Sequence, residues 1–353
     1  MKLLPKGVGL ALLSAALFGA STPLAKLLLG ELPPVLLASL LYLGSGVGLA
    51  ITYLVRRRWA SRDAPLRRKD LPWLAGAVVM GGMAAPVLLM YGLRRTPASS
   101  AALLLNLEGL LTTLLAWFVF RENFDRRIAF GMALILSGGI VLSMPSGAVT
   151  FPLGSLLVAA ACFCWAVDNN LTQRVSAGDP ILITAIKGLG AGAVNLGIAW
   201  SLGAAGLPAL GVVAGAALVG LLGYGVSLVL FVLALRHLGT ARTGAYFSLA
   251  PFMGAAVAVV FLRESVSTAF WIASALMGAG AWLHLTERHG HEHRHDVLTH
   301  THRHVHDEHH AHAHPDAIDP SAPHAHEHTH EPLTHSHPHF PDIHHRHKHG
   351  RDS

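Results

Sequence analysis

Residues 93–122, LRRTPASSAALLLNLEGLLTTLLAWFVFRE, align without a gap onto residues 235–264, LRHLGTARTGAYFSLAPFMGAAVAVVFLRE. Leu93/Leu235, Arg94/Arg236, Leu107/Leu249, Arg121/Arg263 and Glu122/Glu264 are identical at a constant offset of 142. Each copy is an apolar run that opens beside basic residues and closes on Phe-Arg-Glu or Leu-Arg-Glu. A looser match pairs Phe18 with Trp165 and Leu24 with Leu171, at an offset of 147. Internal repetition sets architecture before any local pattern does. This chain reads as one unit written twice.

Outward from those two runs, the body is almost continuously apolar, broken only by short charged or Pro/Gly-rich punctuation. A membrane-spanning helix needs about 20 predominantly apolar residues. Ten segments qualify: roughly 7–29, 34–55, 72–92, 97–119, 127–143, 152–173, 181–201, 209–235, 241–262 and 267–285. The expected fold is therefore an all-α polytopic membrane protein. Residues 1–144 and 145–288 each supply five helices, and residues 289–353 form a tail. An odd number of spans per unit inserts the second unit upside down relative to the first. Inverted repeats are a recurring transporter architecture, with substrate held near the midplane between the halves.

The first apolar run is too long for a secretory leader and is followed by no small-residue cleavage site. With the N-terminus in the cytoplasm, Arg56, Arg57, Arg58, Arg67, Arg68, Arg126, Arg127, Arg174 and Arg242 fall in inside loops. Outside loops then hold only Arg94, Arg95 and Arg263. The positive-inside rule thus predicts a multi-pass protein of the cytoplasmic (inner) membrane with both termini in the cytoplasm. The same rule accounts for the sequence pI of about 9.6 without a nucleic-acid partner. The expected partners are the lipid bilayer and a small cation or metabolite substrate, with room for a homodimer. Cys162 and Cys164, at i and i+2 in one apolar segment, give no disulfide framework. Gly44/Gly48, Gly188/Gly192 and Gly211/Gly215 are small-residue pairs that allow close helix approach.

The paired five-helix halves resemble the drug/metabolite transporter superfamily, EamA type. The segments that carry the resemblance are FGASTPLAK (18–26), ASSAALLLNLEG (98–109), WAVDNNLTQ (165–173) and ARTGAYFSLAPF (241–252). The resemblance covers about residues 7–285. It implies secondary transport, usually outward, of small molecules with no tightly bound cofactor. Gly109 stands where the second unit has Pro251, so the fourth span is expected to lack the break a proline would give.

Ionisable side chains inside a membrane are costly and usually functional. The transport-pathway candidates are Lys26, Asn106, Glu108, Asp168, Asn169, Asn170 and Lys187. Glu108, well inside the fourth span, is the first choice as proton carrier or cation ligand, with a structural partnership to Lys26 as its alternative. Asp168, Asn169, Asn170 and Gln173 are the densest polar cluster in any span. Asp168 shares a helix face with Cys164, a pair that suits either a divalent ion or a proton relay. Lys187 is placed to pair with Asp168 or Asp179. Asn195 is a further cavity candidate, and His237 and His284 read as interfacial. Of the prolines inside apolar runs, Pro23 and Pro251 read as functional breaks and Pro86 does not.

All of the chain's 25 histidines except His237 and His284 lie in the tail. Neutral imidazole is the commonest transition-metal ligand. The proposed ligands are His291, His293, His295, His300, His302, His304, His306, His309, His310, His312, His314, His324, His326, His328 and His330, with nickel, cobalt, zinc or copper as the bound ion and possible cargo. Few apolar residues and many charges predict a disordered tail, and it resembles the tails of some nickel and cobalt efflux proteins. Imidazole binds metal only when neutral, so affinity should fall as pH drops through about 6.5. No P-loop, G-x-S-x-G, HExxH or CxxC motif is present, which leaves no enzyme reading and no ATP-driven one. The first functional expectation is a secondary exporter of nickel or cobalt. The second is an exporter of a small organic metabolite, amino acid-like, with a regulatory metal-binding tail.

Overall fold

The structure, a computed structural model, describes residues 6–56, 66–120, 126–144, 152–175, 178–204, 208–285, 290–295, 298–304, 324–330 and 333–338. The first half contains α1 (Lys6–Leu28), α2 (Pro34–Arg56), α3 (Leu71–Ala77), α4 (Ala85–Arg95), α5 (Ala98–Leu104), α6 (Asn106–Phe120) and α7 (Arg126–Ser143). The second contains α8 (Leu153–Gln173), α9 (Pro180–Ser201), α10 (Leu210–Gly220), α11 (Ser227–Phe247), α12 (Ala250–Phe261) and α13 (Thr268–Leu285).

Seven helical runs among the described residues are long and apolar enough to cross a bilayer. Three shorter apolar helices, Ala129–Ser143, Ala250–Phe261 and Thr268–Leu283, stand where the fifth, ninth and tenth spans are expected. Helix α11 is continuous in its backbone hydrogen bonding but not straight. Along a straight helix, Phe231 and Phe247 would be about 24 Å apart at 1.5 Å per residue. Their ring centroids lie 4.9 Å apart. The chain therefore reverses between them, and α11 supplies the end of one crossing and the start of the next.

The repeat is visible in the packing. Helix α1 lies against α11 and α12 of the second half, while α8 lies against α4 and α6 of the first. Helices α2 and α9 face each other, as do α7 and α13. Each half also carries one π-helical stretch, Val78–Ala84 between α3 and α4 and Leu221–Val226 between α10 and α11. Shifted by 142, these two stretches overlap.

Pro86 gives the physical reason for the first. The Ala85 amide bonds back to the Met80 carbonyl, five residues away, so the Gly81 carbonyl is next due to accept from residue 86, which is proline and has no N–H. Tyr42 Oη and Trp165 Nε1 donate to that carbonyl instead, at 2.6 and 3.0 Å. Pro86 thus stands at a structural break whose freed carbonyl is taken up within the protein.

The fourth span also breaks, despite Gly109. Helix α5 ends at Leu104 and α6 restarts at Asn106. The Asn106 side-chain amide donates to the Leu103 carbonyl at 2.9 Å and so competes with the helix ladder. In the second half the equivalent break falls at Ser248–Leu249, and Pro251 stands in the first turn of α12, where it costs no hydrogen bond.

Exposed side chains on the helices are largely apolar, among them Ile51, Leu54, Phe130, Val260, Trp271 and Trp282. That is the surface a lipid environment selects. Inside, α2 and α9 meet at glycines: a Cβ on Gly188 would lie 2.6 Å from the Gly46 Cα. Gly192 packs on Leu43, and Ser39 donates to the Gly192 carbonyl at 2.8 Å. Gly44 and Gly48 pack on Ala217 and Leu221, whereas Gly211 has nothing nearby.

Part of the tail expected to be disordered forms strands. Strand β1 (Gly290–His295) pairs antiparallel with β4 (Leu333–Pro338), and β2 (Leu298–His304) with β3 (His324–His330). The alternation of His with Thr, Arg and Glu has the period of a strand, which composition alone conceals. His306, His309, His310, His312 and His314 lie outside the described residues.

Gly188→Leu should drive α2 and α9 apart and destabilise the protein by about 1–3 kcal/mol, the usual cost of overpacking. Gly211→Leu, in open space, should be neutral. Thermal unfolding of both variants in detergent checks this, and equal effects would refute the glycine contact as the reason.

Candidate functional site

The polar residues singled out from sequence gather around α8. Its face toward α6 carries Asn169 and Asn170. The Asn169 amide donates to Glu108 Oε1 at 2.9 Å and to Thr112 Oγ1 at 3.3 Å. Asn170 donates to the carbonyls of Ala166 and Thr112. Glu108 occupies the first turn of α6, directly after the break at Leu105, so the break places the carboxylate opposite α8. Asn169 is exposed and Glu108 is half-buried. Two such groups would be costly against hydrocarbon, so this face suits a water-accessible cleft.

One residue earlier on α8, Asp168 turns toward α9. Both carboxylate oxygens lie 2.7 Å from Lys187 Nζ, and Thr172 donates to Oδ1 at 2.8 Å. The pair is buried, with side-chain exposures of 15% for Lys187 and 7% for Asp168. Asp179 is instead the N-cap of α9, accepting from the Ile181 and Leu182 amides. This resolves the two pairings the sequence left open. It also removes Asp168 from any metal site with Cys164, because the carboxylate is already held by an ammonium.

Gly81 completes this contact. A Cβ there would fall on the Asp168 carboxylate, so only glycine lets α8 approach the π-helical stretch. At the repeat-equivalent place Gly223 stands against Ser21, residue 21 being the counterpart of 168 at the offset of 147. The two equivalent places have different chemistry. Around α8 lie Glu108, Asp168, Asn169 and Asn170. Around α1 lie aromatic rings: Phe18 packs on Tyr224 and Phe247, Phe231 on Phe247, and Tyr224 on Tyr42, with centroids 4.9 to 6.0 Å apart.

Two of the sequence candidates stand apart from this group. Lys26 donates to the carbonyls of Leu93 and Thr96 at the end of α4, so it neither pairs with Glu108 nor joins the polar cluster. Asn106 is buried, bonding to Leu103 and approaching Met277 Sδ at 3.9 Å. Asn195 donates to the Gly82 and Met83 carbonyls at 3.3 and 3.4 Å, a role in holding the π-helical stretch. The side chains of Gln173, His237 and His284 lie outside those described. Sequence reading missed Thr112, Thr172, Tyr42 and Trp165, whose roles depend on facing helices. Trp165 alone had a signal, its match to Phe18 in the repeat.

Among the described residues no three of His, Cys, Asp and Glu converge as a metal site. The described residues around α8 offer one carboxylate, two side-chain amides and a buried, charge-neutral ion pair, and those around α1 a cluster of rings.

The chain belongs to the EamA-like transporter family, which matches it twice, over residues 5–144 and 152–286. An uncharacterized transporter of Methanothermobacter thermautotrophicus is 30% identical over 75% of this chain and 82% of its own length. A probable terminal-alkyne amino-acid exporter of Streptantibioticus cattleyicolor is 29% identical, over 62% of this chain and 74% of its own. A crystal structure at 22% identity covers 78% of this chain and 95% of its own, with a TM-score of 0.58, and shares the fold. The protein is therefore a multi-pass membrane protein of a transporter family.

Removing Lys187 should leave a buried carboxylate uncompensated, which costs about 3–5 kcal/mol. Lys187→Met is expected to lower thermal stability in detergent sharply, and Asp168→Asn/Lys187→Met to recover much of the loss. A double variant no better than the single one would mean that the pair does not act as a unit.

Proposed function

We propose that this protein is a secondary-active exporter of a small organic metabolite carrying an ammonium group, amino acid-like in class. Its ten apolar segments form two inverted five-helix units, with both termini in the cytoplasm. The observation that carries the reading is a count of charge. Asp168 is neutralised by Lys187, which leaves Glu108 as the one carboxylate without a cationic partner among the described residues around α8. One carboxylate matches one ammonium. A divalent metal with borderline or hard character is ordinarily held by several anionic or imidazole ligands, and the cleft supplies one. Asn169 and Asn170 add amide groups for the substrate's polar end, and the rings around Phe18 and Tyr224 suit an apolar side chain.

This reverses the order of the two sequence readings. Among the relatives whose names state a cargo, the probable terminal-alkyne amino-acid exporter supports the metabolite reading and offers nothing for nickel or cobalt. Coupling to the proton gradient would use Glu108, protonated in one orientation and bound to substrate ammonium in the other.

Everted vesicles display export as accumulation. With an imposed proton gradient, they should accumulate radiolabelled leucine or phenylalanine, and Glu108→Gln should reduce the rate at least about tenfold, the loss of one charge-assisted hydrogen bond. Gradient-driven nickel accumulation without amino-acid accumulation, in folded protein, would overturn this reading in favour of metal cargo.

The tail supports a second, separate proposal: it binds divalent transition metal and buffers it beside the transporter. The two ladders share one register, since partner numbers sum to 628 in both, as in Gly290↔Pro338 and Leu298↔His330. That register sets His300, His302 and His304 opposite His328, His326 and His324, and His291 and His293 opposite His337 and His335. Directly opposed residues are the nearest cross-strand neighbours of an antiparallel pair, so the register singles out these histidine pairs as the proposed tighter sites. Equilibrium dialysis of the full-length protein with nickel or zinc should show a tighter class of sites that H300A/H302A/H326A/H328A removes and H344A/H345A/H347A/H349A retains. Equal loss in both variants would reduce the tail to its histidine content.

A further inference from the structure

The side-chain amide of Asn169 is used up on its nitrogen side only. Asn169 Nδ2 donates to Glu108 Oε1 at 2.9 Å and to Thr112 Oγ1 at 3.3 Å, which occupies both N–H groups of the amide. An ionised carboxylate only accepts hydrogen bonds, so it is the nitrogen, and not Oδ1, that meets Glu108. Among the described residues nothing donates to Asn169 Oδ1 or to Glu108 Oε2. Asn169 is exposed and Glu108 half-buried, so the pair is reached from the cleft and not sealed in the core.

The two residues come from different halves of the chain. Glu108 stands in the first turn of α6 and Asn169 on α8. Asn170 steadies the same approach by donating to the Thr112 carbonyl at 3.4 Å. The repeat-equivalent place has no such pair. At the offset of 147 the counterpart of Asn169 is Thr22, and at the offset of 142 that of Glu108 is Ala250, both of them buried.

We propose that Asn169 Oδ1 and Glu108 Oε2 form a two-acceptor receptor for a substrate ammonium with at least two N–H donors, that of a primary or singly methylated amine. The Nδ2···Oε1 hydrogen bond sets the two remaining oxygens beside one another, one across the amide carbon and the other across the carboxylate carbon. A primary ammonium has donors for both. A tertiary ammonium has a single N–H and serves only one, and a quaternary ammonium serves neither. Because the acceptors belong to opposite halves, an ammonium bonded to both ties the halves together, and a relative shift of α6 and α8 releases it. The receptor rests on the reading of Glu108 as the partner of an ammonium and adds which amines the site accepts.

A series of cationic probes tests it: n-hexylamine, N-methylhexylamine, N,N-dimethylhexylamine and N,N,N-trimethylhexylammonium, all charged at neutral pH and alike in apolar chain. Their affinities for detergent-purified, full-length protein are read from the rise each causes in unfolding temperature. Affinity should change little from the primary to the N-methyl amine. It should then fall at least about tenfold to the dimethyl amine, the loss of one charge-assisted hydrogen bond, and fall again to the trimethyl probe. Asn169→Leu, close in size but without an acceptor, should flatten the step between the methyl and dimethyl amines and keep the later one. Each step is a ratio of affinities within one preparation, so partial loss of folded protein does not imitate the effect. Where leucine disturbs α6, Asn169→Ala gives the same reading. A step that survives both substitutions is crowding by the added methyl group and overturns the receptor, as does a failure of every probe to bind. Binding needs no transport. An Asn169-dependent step without leucine or phenylalanine accumulation in vesicles would therefore fail the amino-acid cargo alone, and accumulation without that step would fail the receptor alone.

Discussion

Hydrocarbon holds no water, so a backbone carbonyl released from a helix inside the membrane must find its donor within the protein. At Gly81 this constraint ties the two halves together. Pro86 and the π-helical stretch free the carbonyl, and an unsatisfied buried acceptor costs about 1–3 kcal/mol. Tyr42 of the first half and Trp165 of the second both answer it. Trp165 can do so only because α8 runs close against Gly81, and that closeness sets Asp168 on its course toward Lys187 and Asn169 toward Glu108. One missing N–H therefore fixes where the polar cluster stands. The same constraint explains Asn195, whose amide serves the neighbouring carbonyls of Gly82 and Met83.

The sequence made the apolar runs and the repeat legible because lipid exposure acts on composition, and composition survives without geometry. It made the polar positions of α8 legible for the same reason, since Asp168, Asn169 and Asn170 have no place in a lipid-facing helix. Partnership was not legible. Helical spacing relates residues on one helix, so it proposed Cys164 with Asp168 but could not choose between Asp168 and Asp179 for Lys187, which sits on another. The break at Leu105 was hidden because it comes from a side-chain amide competing for a carbonyl and not from proline. The first π-helical stretch had one signal in Pro86, which reads equally as an ordinary membrane-helix proline, and the second had none, because it arises from hydrogen-bond register alone. In the tail, richness in histidine and charge suggested disorder, while the two-residue alternation that pairs β2 with β3 was present in the same letters.

The two halves have kept a common frame and diverged in what it holds. Each has a π-helical stretch with a glycine turned to a helix of the other half, Gly81 to α8 and Gly223 to α1. Where the first contact meets Asp168 the second meets Ser21, and where Glu108 stands the second half has Ala250. A symmetric frame with two identical polar ends would suit a symmetric or doubly charged ligand. Polar groups at one place and aromatic rings at its counterpart suit a ligand with a charged end and an apolar end.

Divergence of that kind also separates two tasks. The centres of the runs differ between the halves, Glu108 in the first standing where the second has Ala250. Arg121-Glu122 and Arg263-Glu264 are the same pair in both runs, and Glu264 accepts from the Ala98 and Ser99 amides at the start of α5. The strongest identity between the repeats therefore falls at the ends of their runs and not at their centres.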